Sequence, residues 1–580
     1  MFYKRINIII IIIILPVMML AINVSQTRAD TVTFSGGELL GKPTNTSITI
    51  NIVPDAPIQY YYEYGILPGT YTGQTSPVNA VAGQPHEVVI TGLNPNTCYY
   101  YRMVYDGDGS VTDGDFETRN EHEFCTQRAA GEPFVFTITS DSHAQYNTQY
   151  QQAMANIESD APDFHLDLGD TFMNDNDSNQ SQVNVEYMAQ RAASYMGRIG
   201  PSVPIFLTPG NHEEEEGWNL DDTPFSIGVG SIQARKAYFP TPTNDGFYSG
   251  NIDPLAAIDE TAYGDELRED YYAWTWGDAL FVVIDEYQYT MDLPYSPAAG
   301  EGSDDSVTGD QWSWTLGETQ YNWLKETLEN SDALYKFVFS HHMLGGITRP
   351  IVNVGAGYVR GGAEAAKYFE WGGYNADGTT WGFDTQRPGW GVDAEHPNGT
   401  PIHQLFVENG VSAYFHGHDH QYAYETRDGV VYQEMPSPSM AGSGFSGIYT
   451  EGTTSEYSTI EVLGNTGHLR LSVTPNETTV EYISSGGISS NGTVNYTYSI
   501  EPNASSDRLT GDVNGIGGVN STDALILLTY DAGLPVSVTI DDCSDVNSDG
   551  SVNSTDALII LTYDAGLPVA FPVGGVCSLP

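Results

Sequence analysis

The sequence predicts a multidomain fold: an N-terminal all-β sandwich, a central α/β domain and a small C-terminal α module. Three observations carry this. Residues 30–128 hold short alternating apolar and polar runs separated by Pro, Gly and Asn turns. Residues 129–501 alternate β-branched or aromatic runs with stretches of helical periodicity. Near the end, GDVNGIGGVNSTDALILLTYDAGLPV (511–536) recurs as SDVNSDGSVNSTDALIILTYDAGLPV (544–569), an internal repeat of the kind that marks packed supersecondary units.

The chain opens with Lys4 and Arg5, followed by an apolar run from Ile8 to Ile22 broken only by Pro16. That run is short for a membrane span. Thr27-Arg28-Ala29 offers a small-residue cleavage site, so residues 1–29 read as a secretory signal. No other segment is long and apolar enough to cross a bilayer, and an extracellular mature protein without a membrane partner is expected. In the first domain, TSITINIV (46–53), IQYYYEYG (58–65) and HEVVITGL (86–93) are strands. The four cysteines are Cys98 and Cys125 early, and Cys543 and Cys577 late. An even count in an exported chain suggests local disulfides, each closing its own domain.

In the central domain FVFTITS (134–140), FHLDLGD (164–170), ALFVVIDE (279–286) and YKFVFS (335–340) are strands, with helices around 149–157 and 319–331. Five short motifs closely follow such runs: DSH (141–143), GD (169–170), GNHE (210–213), HH (341–342) and GHDH (417–420). Loops at the carboxyl ends of α/β strands point side chains into a common crevice. Two carboxylates, one amide and four imidazoles are N/O ligands enough for two metal ions. His418 and His420, two apart on an extended segment, are expected to face one side. The acidic run Glu213–Glu216 reads as a solvated loop, with Glu213 able to support His212.

These motifs, in this order, resemble the calcineurin-like metallophosphoesterase superfamily over roughly residues 130–500. The resemblance implies a four-layer metallophosphatase sandwich. It implies a first metal held by Asp141, His143 and His420, a second held by Asn211, His341 and His418, and Asp170 bridging them. The ions could be Fe, Mn or Zn, with a bridging hydroxide as nucleophile and His212 protonating the leaving oxygen. His341 is preferred to His342 by alignment, although Met343 stands where the family motif has Pro. The front domain, with TGLNPNTCYYYRMVY (91–105), resembles the fibronectin type III-like sandwich preceding the catalytic domain in purple acid phosphatases, which implies that Cys98 and Cys125 staple two late strands. Two departures separate this chain from the purple enzymes. Met173 replaces their iron-ligating Tyr, and His143 stands where they lack a His.

A linker at 502–510 precedes the repeat. Calcium loops place ligands at positions 1, 3, 5, 7, 9 and 12, with Gly at 6. The second copy supplies Asp545, Asn547, Asp549, Ser551 (by its carbonyl), Asn553 and Asp556, with Gly550 at the turn. The first retains Asp512, Asn514, Asn520 and Asp523 but has Ile516 at position 5. The duplicated pattern resembles type I dockerin, which implies residues 511–580 fold around calcium and bind a cohesin domain through Ser521-Thr522 and Ser554-Thr555. Cys543 and Cys577 flank the second copy and could clasp it.

Formal net charge is −54, with 21 Lys and Arg among 580 residues. Repulsion makes nucleic-acid polymers and anionic membranes poor partners. The insertion at 345–400 carries Arg349, Arg360, Arg387, Trp371, Trp381 and Trp390, suited to phosphate and base contacts or to pairing with the abundant acids. The expected activity is phosphomonoester hydrolysis. The alternatives are phosphodiester or nucleotide hydrolysis on the same site, or a calcium-dependent scaffold-binding protein with a vestigial phosphatase domain. A phosphorylated glycan is a further candidate substrate.

Overall fold

The computed structural model describes residues 32–107, 116–216, 226–252, 267–287, 316–342, 402–440, 461–486, 491–503, 509–513, 519–534 and 542–575, with a few isolated positions between them. The expected signal segment, Met343, Asn514, Ile516 and the arginines and tryptophans of the insertion lie outside the described residues.

The first domain is an antiparallel sandwich. One sheet has Leu39–Gly41, Ser47–Ile52 and His86–Thr91; the other is built on Ile58–Gly65 paired with Cys98–Asp106. Alternation sends Tyr60, Tyr62, Tyr99, Tyr101 and Met103 inward onto Ile48, Ile50 and Ile90. Cys98 sits directly opposite Cys125 across two strands, and the two are disulfide-bonded. The sandwich is joined to the next domain by buried Arg191, whose guanidinium donates to Asn51 Oδ1 at 2.8 Å and to the Gly37 carbonyl at 3.2 Å. Leu39 and Val53 share a core with Tyr187, Met196 and Phe239.

The central domain has four layers. A six-stranded sheet runs Ile205–Leu207, Phe164–Asp167, Phe134–Thr139, Gly467–Val473, Thr478–Ser484, Val494–Ile500. The first three strands are parallel and the rest antiparallel. An eight-stranded sheet runs Ser249–Gly250, Tyr272–Trp276, Ala279–Val283, Tyr335–Phe339, Ala413–His416, Val430–Glu434, Tyr422–Arg427, Glu461–Leu463, with its middle four strands parallel. The two sheets pack face to face over an aromatic core. Phe281 at its centre lies 5.1 Å from the rings of both Phe136 and Phe164 and 4.9 Å from Trp274. Helices Thr148–Asp160, Gln180–Gln190 and Ile227–Tyr238 cover the first sheet, and Gly317–Glu329 and Ile402–Glu408 the second. Near-continuous burial of the parallel strands explains why they read as unbroken apolar runs.

The C-terminal module is a pair of helices, Ser521–Asp531 and Ser554–Asp564. Each begins at an Asn N-cap, with an acidic residue at N3 completing a capping box. Ala524, Leu527, Ala557 and Ile560 meet Val513, Val546 and Val573 in a small core. Cys543 and Cys577 are disulfide-bonded. The expected linker begins docked: Asn503 donates from its backbone to the Leu334 carbonyl and from its side chain to that of Gly410. Among the described residues, no helix is long and apolar enough to cross a membrane.

Candidate active site

All seven expected metal ligands converge. Asp141 and His143 follow strand Phe134–Thr139, Asp170 follows Phe164–Asp167, and Asn211 follows Ile205–Leu207. His341 follows Tyr335–Phe339, and His418 and His420 follow Ala413–His416. Each sheet therefore delivers ligands from the carboxyl ends of its parallel strands.

The side chains form two groups that share one member. Asp141, His143, Asp170 and His420 have ligand atoms within 4.8 Å of one another, and so do Asp170, His341 and His418. Asn211 joins the second group, its Oδ1 lying 2.9 Å from His418 Nδ1. Asp170 Oδ2 is 3.5 Å from His143 Nε2 and 3.2 Å from His341 Nε2. His420 Nε2 is 3.2 Å from Asp141 Oδ1. The ring that joins the group is His341; His342 instead donates its backbone N–H to Glu286.

The donor set fits cations. His341 Nδ1 is 2.7 Å from the Leu168 carbonyl, which can only accept, so in the neutral ring the proton is on Nδ1. Nε2 then turns a lone pair toward an Asp170 oxygen, and two such acceptors at 3.2 Å require a proton or a metal ion between them. Burial works to raise both carboxyls. The surrounding imidazoles outweigh it and hold Asp141 and Asp170 well below the usual carboxylate range.

Five of the seven depart from ordinary backbone geometry. Asp141, His143, Asp170, His418 and His420 have φ of 61°, 49°, 52°, 80° and 62°, in the left-handed region that costs a non-glycine residue about 1–3 kcal/mol. This corrects the extended segment expected for His418 and His420. The strand ends at His416, and the turn beyond it sends the two imidazoles to different groups.

The acidic run is also corrected. Glu213, Glu215 and Glu216 are buried, not solvated. Glu213 accepts four backbone N–H groups, from Asp170, Thr171, Phe172 and Gly210, at 2.6–2.9 Å, and so ties the Asp170 loop to the Asn211 loop. Glu215 takes Arg235 in a two-pronged pair, with bonds of 3.0 and 2.8 Å. Burial had no sequence signature here, because four consecutive acids read as hydrophilic.

His212 donates its backbone N–H to Asp170 Oδ1 at 2.8 Å and turns its ring Nδ1 to Asp175 Oδ1. Its Nε2 faces Asp170 Oδ2 at 3.9 Å, and the side chain keeps 29% exposure. Burial lowers its pKa, but the charges of Asp170 and Asp175 outweigh this and raise it to about 9. Sequence reading missed Asp175, since nothing in the polar stretch Asn174–Asp177 distinguishes it. It also missed Glu434, which accepts the Asp419 N–H at 3.0 Å and lies 2.6 Å from His416 Nδ1 beneath the GHDH turn.

In the C-terminal module, Asp545 accepts from the Asp549 and Gly550 amides, Asn547 from Asp549, and Asp549 from Ser551. Asp556 closes the loop on the Asn547 and Asn553 amides, and Asn553 Nδ2 donates to the Ser551 carbonyl. Gly550 has φ 85°, the turn expected at position 6. In the first copy Asp523 is buried, accepting from Val513 and Asn520, and Asp512 is buried beside it. Ser521, Thr522, Ser554 and Thr555 are exposed on the first helical turns. Leu525 and Leu528, with their counterparts Leu558 and Leu561, are exposed along the same helices.

Residues 134–422 match the family model described as Calcineurin-like phosphoesterase, and residues 500–563 the one described as Dockerin type I domain. A curated relative, Purple acid phosphatase 13 of Arabidopsis thaliana, is 25% identical over 245 residues, covering 37% of this chain and 38% of that protein. Among solved structures, PhoD superposes with a TM-score of 0.53 at 15% identity, covering 81% of this chain and 90% of its own. Purple acid phosphatase PPD1 from yellow lupin (Lupinus luteus) seeds gives 0.47 at 14% identity, covering 80% and 74%. At 15% identity the likeness to PhoD is one of fold.

Proposed function

We propose that this chain, which carries a calcineurin-like phosphoesterase domain and a type I dockerin domain, is an exported dinuclear phosphomonoesterase tethered to a cohesin-bearing partner. The carrying observation is Asp170, whose carboxylate belongs to both ligand groups. Asp141, His143 and His420 would hold one ion and Asn211, His341 and His418 the other. Bound there, such ions supply an acidified water and offset charge growing on phosphoryl oxygens.

The rest falls to the protein. The left-handed turns and the Glu213 carboxylate keep the ligands in place before substrate arrives, so little reorganisation accompanies reaction. His212 would give a proton from Nε2 to the leaving oxygen, with the Asp175 contact at the other ring nitrogen supporting that role. Calcium in the dockerin would be held by Asp545, Asn547, Asp549, Ser551, Asn553 and Asp556, and in the first copy by Asp512, Asn514, Asn520 and Asp523. The exposed Ser-Thr pairs with the leucines behind them support a cohesin contact. The basic and then apolar stretch at residues 4–22 supports export.

Purified full-length protein should hydrolyse a phosphomonoester panel faster than matched diesters. Faster diester turnover would reassign the substrate class while leaving the site intact. Failure on both, with metal bound, would reject the catalytic reading.

A further inference from the structure

We propose that residues 434–439 form a strap whose serine hydroxyls position the ligands of one metal ion far more than those of the other. This rests on the two-metal reading above. Strand Val430–Glu434 runs on into Met435-Pro436-Ser437-Pro438-Ser439. Ser437 Oγ donates to the carbonyl of Asp141 at 2.7 Å, and Ser439 Oγ to the carbonyl of Ser142 at 2.7 Å. Both serines are buried, and they reach these carbonyls from 296 and 297 residues away in sequence. The turn they grip is the strained one, with Asp141, His143 and Ala144 all at positive φ. Holding non-glycine residues there costs free energy that such contacts offset.

The strap is itself anchored. Its Ser437 carbonyl accepts from Gly467 N–H at 3.2 Å, its Pro438 carbonyl from Ser485 Oγ at 3.1 Å, and its Ser439 carbonyl from Asn147 Nδ2 at 2.8 Å. Two prolines fix φ along it and leave no N–H of their own to satisfy. It can therefore pass the rigidity of the Gly467–Val473 strand to the Asp141–His143 turn.

The other ion's ligands are set differently. Asn211 sits in the turn closed by Glu213, and His341 is oriented by the Leu168 carbonyl. His418 touches the gripped turn, its backbone N–H donating to the Asp141 carboxylate at 3.0 and 3.1 Å, while its ring is set by Asn211. Removing the serine hydroxyls should therefore loosen the Asp141–His143–His420 position far more than the other. Groups that orient metal ligands typically change affinity 10–100-fold when removed.

The test is Zn2+ binding by calorimetry to the full chain in excess calcium, which keeps the dockerin loops filled. S437A/S439A is introduced into two backgrounds, each limited to one ion. In His341→Ala, where the Asp141–His143–His420 position remains, the pair should lower affinity at least tenfold. In His143→Ala, where the Asn211–His341–His418 position remains, it should change affinity less than twofold. Ser437→Thr with Ser439→Thr, which keeps both hydroxyls, should restore binding. Equal losses in both backgrounds, or none in either, would overturn the strap. Binding of a single Zn2+ by the unsubstituted chain would instead overturn the two-metal reading on which it rests.

Discussion

At the candidate active site, the proposed metal ligands come from five loops on two sheets, with Asp141 and His418 separated by 277 residues, and the carboxylates of Asp141 and Asp170 are buried. In the second copy of the repeat the proposed calcium ligands come from twelve consecutive residues, Asp545 to Asp556, of which residues 548–551, 554 and 555 are exposed. The first site is assembled by the packing of the whole domain, and its strain is carried by buried partners such as Glu213, Ser437 and Ser439. The second has only a small core behind it. One should therefore keep its shape without metal, while the other folds with its ion.

Substitutions and metal removal should affect the two regions differently. The largest effect is expected at Asp170→Asn: at least a thousandfold loss of turnover, on the order of 4 kcal/mol of barrier, with an unchanged far-ultraviolet circular dichroism spectrum. Loss of fold along with activity would show that the ion, not the packing, shapes this pocket. Next is Glu213→Ala, which strands four buried amides. A cost of roughly 3–5 kcal/mol is expected in denaturant unfolding of the catalytic domain. A change within experimental error would mean the loops do not depend on that carboxylate.

Calcium chelation should melt the dockerin helices and abolish cohesin binding while leaving phosphatase turnover within about twofold. A parallel fall in turnover would erase the proposed independence of the two regions. Asp175→Asn should lower turnover about 10–100-fold with little change in bound metal, since it acts through His212; elemental analysis alongside kinetics separates the two. The smallest effect concerns pH. Burial raises the Asp160 pKa, but His468 at 2.8 Å and Arg470 at 2.5 Å hold it below normal. A depressed folded-state carboxyl contributes stability above its unfolded pKa of about 3.9, and that contribution is lost as pH falls through the lower folded value. Asp160→Asn should thus flatten the stability profile below about pH 4 and lower stability above it. Parallel profiles for the two proteins would contradict this.

Much of the site was legible because chemistry and periodicity coincided. Asp141, Asp170 and His341 each stand directly beyond an apolar strand, and the ends of parallel strands have to converge. The calcium loops were legible because their spacing is local. What escaped reading depends on burial contributed by remote segments. Glu213–Glu216 look hydrophilic until Arg235 and the amides of residues 170–172 close over them. Ser437 and Ser439 resemble any turn serines until residues 141 and 142 arrive from the other end of the domain. The left-handed geometry of His418 and His420 is likewise imposed by tertiary contacts, and their alternation suggested a strand.

In the proposed site Asp170 joins two metal positions in a setting shaped by the fold. Elemental analysis of the purified chain, set beside Asp170→Asn, tests it directly. Two transition-metal ions per chain are expected in the unsubstituted protein, and fewer than one in the variant, with both folded. One ion per chain at full activity, or two ions retained without the Asp170 carboxylate, would contradict it.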